Sequence, residues 1–407
     1  LDTYVIDHLG HRGDGVIDTP DGPLYAPFTL PGETVRGTRA GDRLAEVSVD
    51  APSPHRVAPP CPHVGACGGC ALQHAADAFL AKWKTDLIVT ALAQRGLESE
   101  IRTIAVSPPG ARRRVALAGR RTRKGALVGF HGRADATLVP VTTCVVADAA
   151  IIAALPAFTE LVGLTASRSG EARLTVTAAA AGLDVLLEAQ RPLDRALYAA
   201  LAALADQADF ARLSYGAEAI ATRRPPVQTF GRARVVPPPG GFLQATREGE
   251  AALVAAILDA VGDAPRVADM FAGSGTFALP LAERATVRAI ESDAAALAAL
   301  DAGWRMADGL RGVATETRDL FRRPLRAEEL ARSDAVVIDP PRAGAAAQTA
   351  QIAASGVARV AAASCNPATF ARDARTLVDA GFRLLWVRPV DQFRWSPHVE
   401  LAAAFAR

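Results

Sequence analysis

Cysteine is scarce in this chain, with five among 407 residues. An odd, sparse set argues against a disulfide framework and for a reducing compartment, so a cytoplasmic location is expected. Methionine is rarer still, with two, and lysine is sparse beside abundant arginine and alanine, a bias of GC-rich codons rather than of function. Nothing approaches the roughly 20 consecutive apolar residues of a membrane span. The opening stretch LDTYVIDHLG lacks the basic start and apolar core of a signal peptide. Net charge is only +2, so bulk charge does not mark a polyanion binder. What remains, half hydrophobic and 22% charged, is a globular composition, and the length exceeds one ordinary core, so two or three domains are expected.

Three of the five cysteines crowd into CPHVGACGGC, residues 61–70, as Cys61, Cys67 and Cys70. The others, Cys144 and Cys365, are far apart in sequence. A C-x5-C-x2-C run with one distant cysteine suits four thiolates on a [4Fe–4S] cluster, and equally a four-cysteine zinc site. Positive charge is also uneven: the stretch Ile101–Ala134 carries Arg102, Arg112, Arg113, Arg114, Arg120, Arg121, Arg123, Lys124 and Arg133 and contains no Asp or Glu. Such a run predicts a local phosphate-binding patch.

Three regions follow one another. Residues 1–55 alternate apolar and polar residues around Gly/Pro/Asp turns (HRGDGVI, DGPLYAPFTLPGETV, RLAEVSVD), which predicts a small β-barrel of OB type. The proline-rich APSPHRVAPP links it to the cysteines. Residues 56–240 mix a helical pattern over Asp77–Leu97 with strand-like RVALAG, GALVGFHG, TLVPVTTCVV, RLTVTA and LDVLLEA, an α+β region. Residues 241–407 alternate strands with helices, which predicts a doubly wound parallel α/β sheet of Rossmann type.

In that last region VADMFAGSGTFALPLA reads as strand, glycine turn and helix start, with Gly273 and Gly275 permitting close backbone approach to a ligand. The strand VRAI then delivers Glu291, placed to take both hydroxyls of a ribose. The third glycine of a dinucleotide loop is replaced by Ala278 and no phosphate-loop lysine is present. Ribose recognition without pyrophosphate, with Asp319 of RDLF near an adenine, points to S-adenosylmethionine (SAM). VIDPPRAG puts Asp339 at the end of a strand, followed by Arg342 where an aromatic would stack on a base in amino-methyltransferases. One strand later SCNPAT sets Cys365 at a helix N-terminus, which lowers a thiol's pKa. A thiolate beside a methyl donor suggests carbon methylation of a pyrimidine, by addition at C6 and proton removal from C5. Glu400 of HVE, at the start of the last apolar strand, is the candidate base.

DPPRAG, SCNPAT and HVE together resemble the RNA uracil-C5 methyltransferase family over nearly the whole chain. PCPHVGACGGCALQH is similar to that family's iron–sulfur signature, and the N-terminal strands look like its TRAM domain, an RNA-binding OB-like module. The resemblance implies Cys365 as nucleophile and Glu400 as general base. It implies SAM contacts from Gln244, Asp269, Phe271, Gly273, Gly275, Thr276, Glu291, Asp319 and Asp339. It also implies Cys61, Cys67, Cys70 and Cys144 as ligands of a [4Fe–4S] cluster with a structural role. Thr246, Arg394 and Trp395 depart from the family's usual residues. Cysteines and TRAM-like strands together mark the ribosomal branch, so a monomeric cytoplasmic enzyme acting on 23S rRNA, with no membrane partner, is the expectation.

Overall fold

The computed structural model describes residues 2–133 and 135–407; Leu1 and Ala134, which bound the first region and the basic run as read from sequence, lie outside them. Residues 2–51 form one six-stranded sheet. Asp2–Val5 pairs with Thr34–Ala40, then come Arg43–Ala51, Gly22–Ala26, Gly15–Thr19 and His8–Leu9. Alternation along these strands turns Ile17, Leu24, Val35 and Leu44 onto one core. The proline-rich linker is tied to this sheet through Glu33, fully buried, which accepts from the backbone N–H of Leu30 and Ser53 and from the Arg56 guanidinium.

The central sheet has seven strands in the order Leu138–Pro140, Gly125–His131, Arg114–Thr122, Glu171–Ala179, Gly182–Glu188, Arg212–Tyr215, Glu218–Thr222. Helices Leu155–Thr165 and Arg195–Gln207 pack on it through Phe158, Leu161, Leu197 and Leu201. The segment read as the strand TLVPVTTCVV stops at Pro140. Beyond it the backbone turns away to bond Gly110 and Arg112 through the carbonyls of Val145 and Val146, which leaves Cys144 in a loop.

The third sheet carries the chemistry. Its order is Val313–Thr317, Thr286–Glu291, Arg266–Met270, Ala335–Ile338, Arg359–Ser364, Glu400–Ala406, Arg383–Asp391, parallel except that Glu400–Ala406 runs antiparallel to both neighbours. Two short strands from the preceding region, Glu100–Ile101 and Ala105–Val106, extend its edge in parallel with Arg383–Asp391. The sequence shows no strand there, because two residues are too few to display a period. Helix Arg247–Val261 covers one face, and Ala346–Ala354 and Pro367–Asp379 cover the other. The α/β doubly wound architecture expected from the sequence is present. The RRPPVQTF stretch folds as a hairpin, Gln228–Phe230 with Ala233–Val235, whose Phe230, Ala233 and Val235 enter the core of this sheet.

Helix Asp77–Ala93 stops four residues before the expected Leu97, at a turn where Gly96 takes φ +63°. Its Ile88, Ala91 and Leu92 pack into the catalytic sheet's core, while Leu80 and Trp83 join Leu9, Leu30, Leu72 and Trp395 in a separate cluster. One helix thus ties the N-terminal sheet, the cysteine loop and the C-terminal sheet together.

The basic run does not make one patch. Strand alternation and side-chain length distribute it. Arg113 is buried against Glu250 and the Gln244 carbonyl, Arg114 bonds the carbonyls of Gly240 and Gly241, and Arg102 reaches Asp259 and the face of Trp386. Arg120 pairs with Glu171 and Arg133 with Asp14. Arg121, Arg123 and Lys124 stay exposed at the tip of the Arg114–His131 hairpin.

Candidate active site

Cys365 follows the last residue of strand Arg359–Ser364, and Glu400 is the first residue of the antiparallel strand beside it; Ser364 is in register with Leu401. The pairing sets the two reactive side chains next to one another at the sheet's carboxyl edge, where open α/β sheets bind ligands. Asn366 then caps helix Pro367–Asp379 by accepting from the Ala368 N–H at 3.1 Å, and its side-chain amide donates to the Arg342 carbonyl.

The electrostatics of this corner differ from the expectation of a lowered thiol pKa. Burial, reinforced by the negative charges of Glu400 and Asp339, pushes the Cys365 thiol up to about 11, against the opposing pull of Arg342. The helix N-terminus is outweighed chiefly by burial of the sulfur, with the two carboxyls that share the site adding to the rise. Those carboxyls move too: burial raises Glu400 to about 8, with a further push from Asp339, and burial alone raises Asp339 to about 7. Without ligands the site therefore holds protons on its nucleophile and its base.

Gln392 joins these groups and was not singled out from the sequence. It lies one residue beyond strand Arg383–Asp391, almost wholly buried. Its Nε2 donates to Gln244 Oε1 at 2.6 Å and to Glu400 Oε2, and its Oε1 accepts from the Thr246 N–H at 3.3 Å. A glutamine in an irregular loop has no spacing signal that would reveal this. Thr246, the expected departure in FLQAT, caps helix Arg247–Val261 through Gly249 and bonds Ser107 at 2.7 Å.

The glycine turn leads from strand Arg266–Met270 into a helix of only four residues, Ala278–Leu281. The two glycines differ in role. Gly273 takes φ +55° and a Cβ there would meet nothing within 4 Å, so it faces open space. Gly275 at φ +100° is required by packing, since a Cβ would lie 2.7 Å from Leu279 and 2.9 Å from Leu300. Glu291 ends the next strand. Its Oε1 accepts from the N–H groups of Ser292 and Asp293 and its Oε2 from Gly273 N–H at 3.1 Å, which leaves Oε2 with free acceptor capacity. Phe271 holds φ +64°, a strained conformation for a side chain of that size, with its ring 5.5 Å from that of Phe321. Asp319 orients Phe321 by accepting from its N–H at 2.9 Å. Asp269 is fully buried and neither of its carboxylate oxygens has a hydrogen-bond partner. A buried orphan acid calls for a ligand donor. Thr276 lies half-buried in the same turn. These residues fit SAM, which offers an ammonium, ribose hydroxyls and an adenine to the acids and the aromatic pair.

Residues 242–407 match the family described as tRNA (uracil-5-)-methyltransferase. An uncharacterised RNA methyltransferase of Caulobacter vibrioides is 47% identical over 417 residues, covering 100% of both chains. The 23S rRNA (uracil(1939)-C(5))-methyltransferase RlmD of Alkalilimnicola ehrlichii is 33% identical over 434 residues, covering 99% of this chain and 96% of that one. This chain belongs to the RNA uracil-C5 methyltransferase family. The fold agrees: the tRNA (uracil-54, C5)-methyltransferase of Pyrococcus abyssi, solved with S-adenosyl-L-homocysteine, superposes with a TM-score of 0.76 at 21% identity, covering 99% of each chain. The protein is thus an RNA methyltransferase.

Two cavities frame the reactive corner of this methyltransferase. One, of about 1000 Å³, is a groove with Cys365, Asn366 and Arg342 on one wall, Trp83, Leu87 and Gln94 of helix Asp77–Ala93 on another, and His8, His11, Arg12 and Tyr25 of the N-terminal sheet on the third. The other, of about 480 Å³, is lined by Cys61, Cys67, Cys70 and Cys144 with Arg112 and Phe393. Arg12, Pro397 and His398 line both.

The four cysteines separated by up to 83 positions in sequence therefore meet at one place, each half-buried and free. Burial raises the Cys70 thiol to about 11 and raises Cys67, and in each case the neighbouring thiols add to the rise. Gly69 N–H points at Cys67 Sγ at 3.4 Å, and burial lowers the pKa of the Arg112 guanidinium against the opposing pull of Cys144 and Cys70. Four soft thiols with a cation and an N–H donor beside them are a donor set that fits an iron–sulfur cluster or zinc. Among the described residues no group of three or more His, Cys, Asp or Glu side chains is placed so that it could hold a metal ion.

Proposed function

We propose that this methyltransferase forms 5-methyluridine in 23S rRNA by covalent addition and elimination at the pyrimidine ring. The observation that carries the reading is the placement of Cys365 and Glu400 at the adjoining ends of paired strands, with Cys365 on the wall of a groove of about 1000 Å³. A target uridine flipped from its stack would present C6 to Cys365 Sγ. The thiol gives its proton to groove water as sulfur bonds to C6, and the electron pair of the C5–C6 double bond moves into the ring as an enolate. SAM, when bound, would supply the methyl group: C5 takes it as the sulfonium S–CH3 bond breaks, its electron pair staying on the sulfur of the departing S-adenosylhomocysteine. Glu400, as carboxylate, removes the C5 proton; the double bond re-forms and the C6–S bond breaks, returning the thiolate. Arg342, whose charge opposes the rise in the thiol's pKa, favours the thiolate at both ends of the cycle. Asp269, Phe271, Gly273, Thr276, Glu291, Asp319, Asp339 and Gln244 hold the cofactor and the base around this corner.

The same reading takes Cys61, Cys67, Cys70 and Cys144 as ligands of a [4Fe–4S] cluster that braces the loops around the groove. It takes the N-terminal sheet as a TRAM-like RNA-binding module and the enzyme as a cytoplasmic monomer. The 23S assignment draws on the 33% identity to a 23S rRNA methyltransferase along with the cysteines. The test is to incubate the protein with labelled SAM against unmodified 23S rRNA and tRNA separately, then identify the nucleoside. 5-Methyluridine in 23S rRNA alone is expected. The same product in tRNA alone keeps the chemistry and overturns the target; no labelled pyrimidine in either overturns the reaction.

A further inference from the structure

We propose that Gln392 is a positioning residue for this reaction, one that selects which oxygen of Glu400 receives the C5 proton and which end of the Gln244 amide faces the ligands. The inference rests on the uridine methylation proposed above.

The orientation of Gln392 follows from an obligatory donor. The backbone N–H of Thr246 can only donate, so the oxygen of the Gln392 amide must face it. The NH2 end is then turned toward Gln244 Oε1 and Glu400 Oε2, one proton for each. Both amide hydrogens and the amide oxygen of the side chain are thus engaged, in a site where an unpaired group is costly.

Two consequences pass to the neighbours. Glu400 Oε2 already accepts from Gln392, whereas among the described residues Oε1 accepts from no side chain, so Oε1 is the oxygen better placed to take the C5 proton. Gln244 is held with its oxygen toward Gln392, which leaves its NH2 as the end able to donate to an acceptor on a ligand. An N–H donor on a carboxylate also favours the charged form, opposing the burial and the Asp339 charge that hold Glu400 protonated.

The surroundings admit one placement of this side chain. At Gly249, in the first turn of helix Arg247–Val261, a Cβ would lie 2.7 Å from Gln392 Cβ and 2.9 Å from its Oε1. The helix start approaches so closely only because that residue is glycine. On the other side Asp391 is anchored by the ammonium of Lys84 and accepts from the Phe393 N–H at 3.0 Å. Gln392 is gripped between two fixed elements.

The experiment compares the full-length protein with Gln392→Glu and Gln392→Met, using a 23S rRNA fragment carrying uridine and the same fragment carrying 5-fluorouridine. With 5-fluorouridine no C5 proton can be removed, so covalent trapping reports only the steps before the base acts. At saturating SAM both variants are expected to trap 5-fluorouridine RNA at rates near wild type, any loosening of the Gln244 contact showing instead as a raised SAM requirement. On ordinary RNA, turnover falls about tenfold or more, within the range general-base catalysis supplies, and covalent adduct accumulates. Gln392→Glu, which sets a second carboxyl beside the base, also moves the pH–rate profile to higher pH. Wild-type turnover and pH profile in Gln392→Met overturn the proposal, as does an equal loss of trapping and turnover in both variants, which marks a space-filling role. Should Gln392→Glu not fold, Gln392→Met, similar in volume and uncharged, decides by the same two readouts. Absence of 5-methyluridine and of trapping in the wild type sinks the uridine reading instead, and so is distinguishable.

Discussion

The ammonium of Lys84 donates to Asp391 Oδ1 at 2.6 Å and to the Phe393 carbonyl at 3.1 Å, with the lysine side chain wholly buried. Burial lowers the lysine's proton affinity and Asp391 restores part of it. The pair fastens helix Asp77–Ala93 to the loop that presents Gln392. Removing one partner strands a charge in the interior. Lys84→Met is therefore expected to lower unfolding stability by about 3–5 kcal/mol. Lys84→Met combined with Asp391→Leu is expected to recover most of that loss while turnover stays depressed, since the loop has lost its anchor. Urea unfolding and initial rates on the three proteins check this. A double variant with wild-type turnover would remove any link between the pair and the site.

Turnover is expected to rise with pH through about 8. Glu400 acts as a base only when ionised, and burial beside Asp339 raises its pKa to about 8. Stability carries the opposite sign. The folded-state pKa lies above the ordinary value of 4.5, so between those two values the folded chain binds more protons than the unfolded one, and this group's contribution to stability falls as pH rises. Glu400→Gln cannot titrate and is expected to become progressively more stable relative to wild type from about pH 5 to pH 8. Parallel stability curves for the two proteins would mean that Glu400 titrates normally.

The two reactive residues fail at different steps. Cys365→Ala is expected to bind SAM and to form no covalent complex with either uridine or 5-fluorouridine RNA. Glu400→Gln keeps the nucleophile and lacks the base, so it is expected to accumulate covalent adduct with ordinary RNA and to turn over about 100-fold or more slowly. Denaturing electrophoresis of labelled RNA separates the outcomes. Adduct formed by Cys365→Ala would reassign the nucleophile.

The sequence displays the reactive corner because its chemistry is local: SCNPAT, DPPRAG and HVE each place one residue at a strand end, and strand order brings the ends together. The doubly wound sheet is legible for the same reason, as strand and helix periods alternate. What escaped reading depends on partners distant in the chain. Gln392 gains its role from Gln244, Thr246 and Glu400. Lys84 looks like a solvated helical residue and is buried only because Asp391, over 300 positions away, meets it. The arginine run reads as one patch in sequence, whereas Glu250, Asp259, Glu171 and Asp14 each claim a member of it. The helix N-terminus at Cys365 suggested a reactive thiolate, and burial, with two carboxyls invisible to that local pattern adding to it, reverses the shift.

Cys144 gives the sharpest test of the cysteine cavity. It lies in the loop after Leu138–Pro140, away from the Cys61–Cys70 run, and meets the other three only in the folded chain. If the four thiols hold one [4Fe–4S] cluster, protein purified without oxygen contains about four irons per chain and absorbs broadly in the visible. Cys144→Ser is then expected to lose iron while Cys365→Ser retains it in full, since Cys365 lines the other cavity. The loop reports the loss as well. The backbone N–H groups of Ala71 and Leu72 bond the Trp395 carbonyl at 2.9 and 3.0 Å, tying the cysteine loop to the segment ahead of Glu400. Cluster loss is therefore expected to weaken RNA binding and turnover more than SAM binding, whose residues lie on the glycine-turn side of the sheet. Stoichiometric zinc without iron would keep the four-thiol site and replace its occupant, and iron unaffected by Cys144→Ser would break the set.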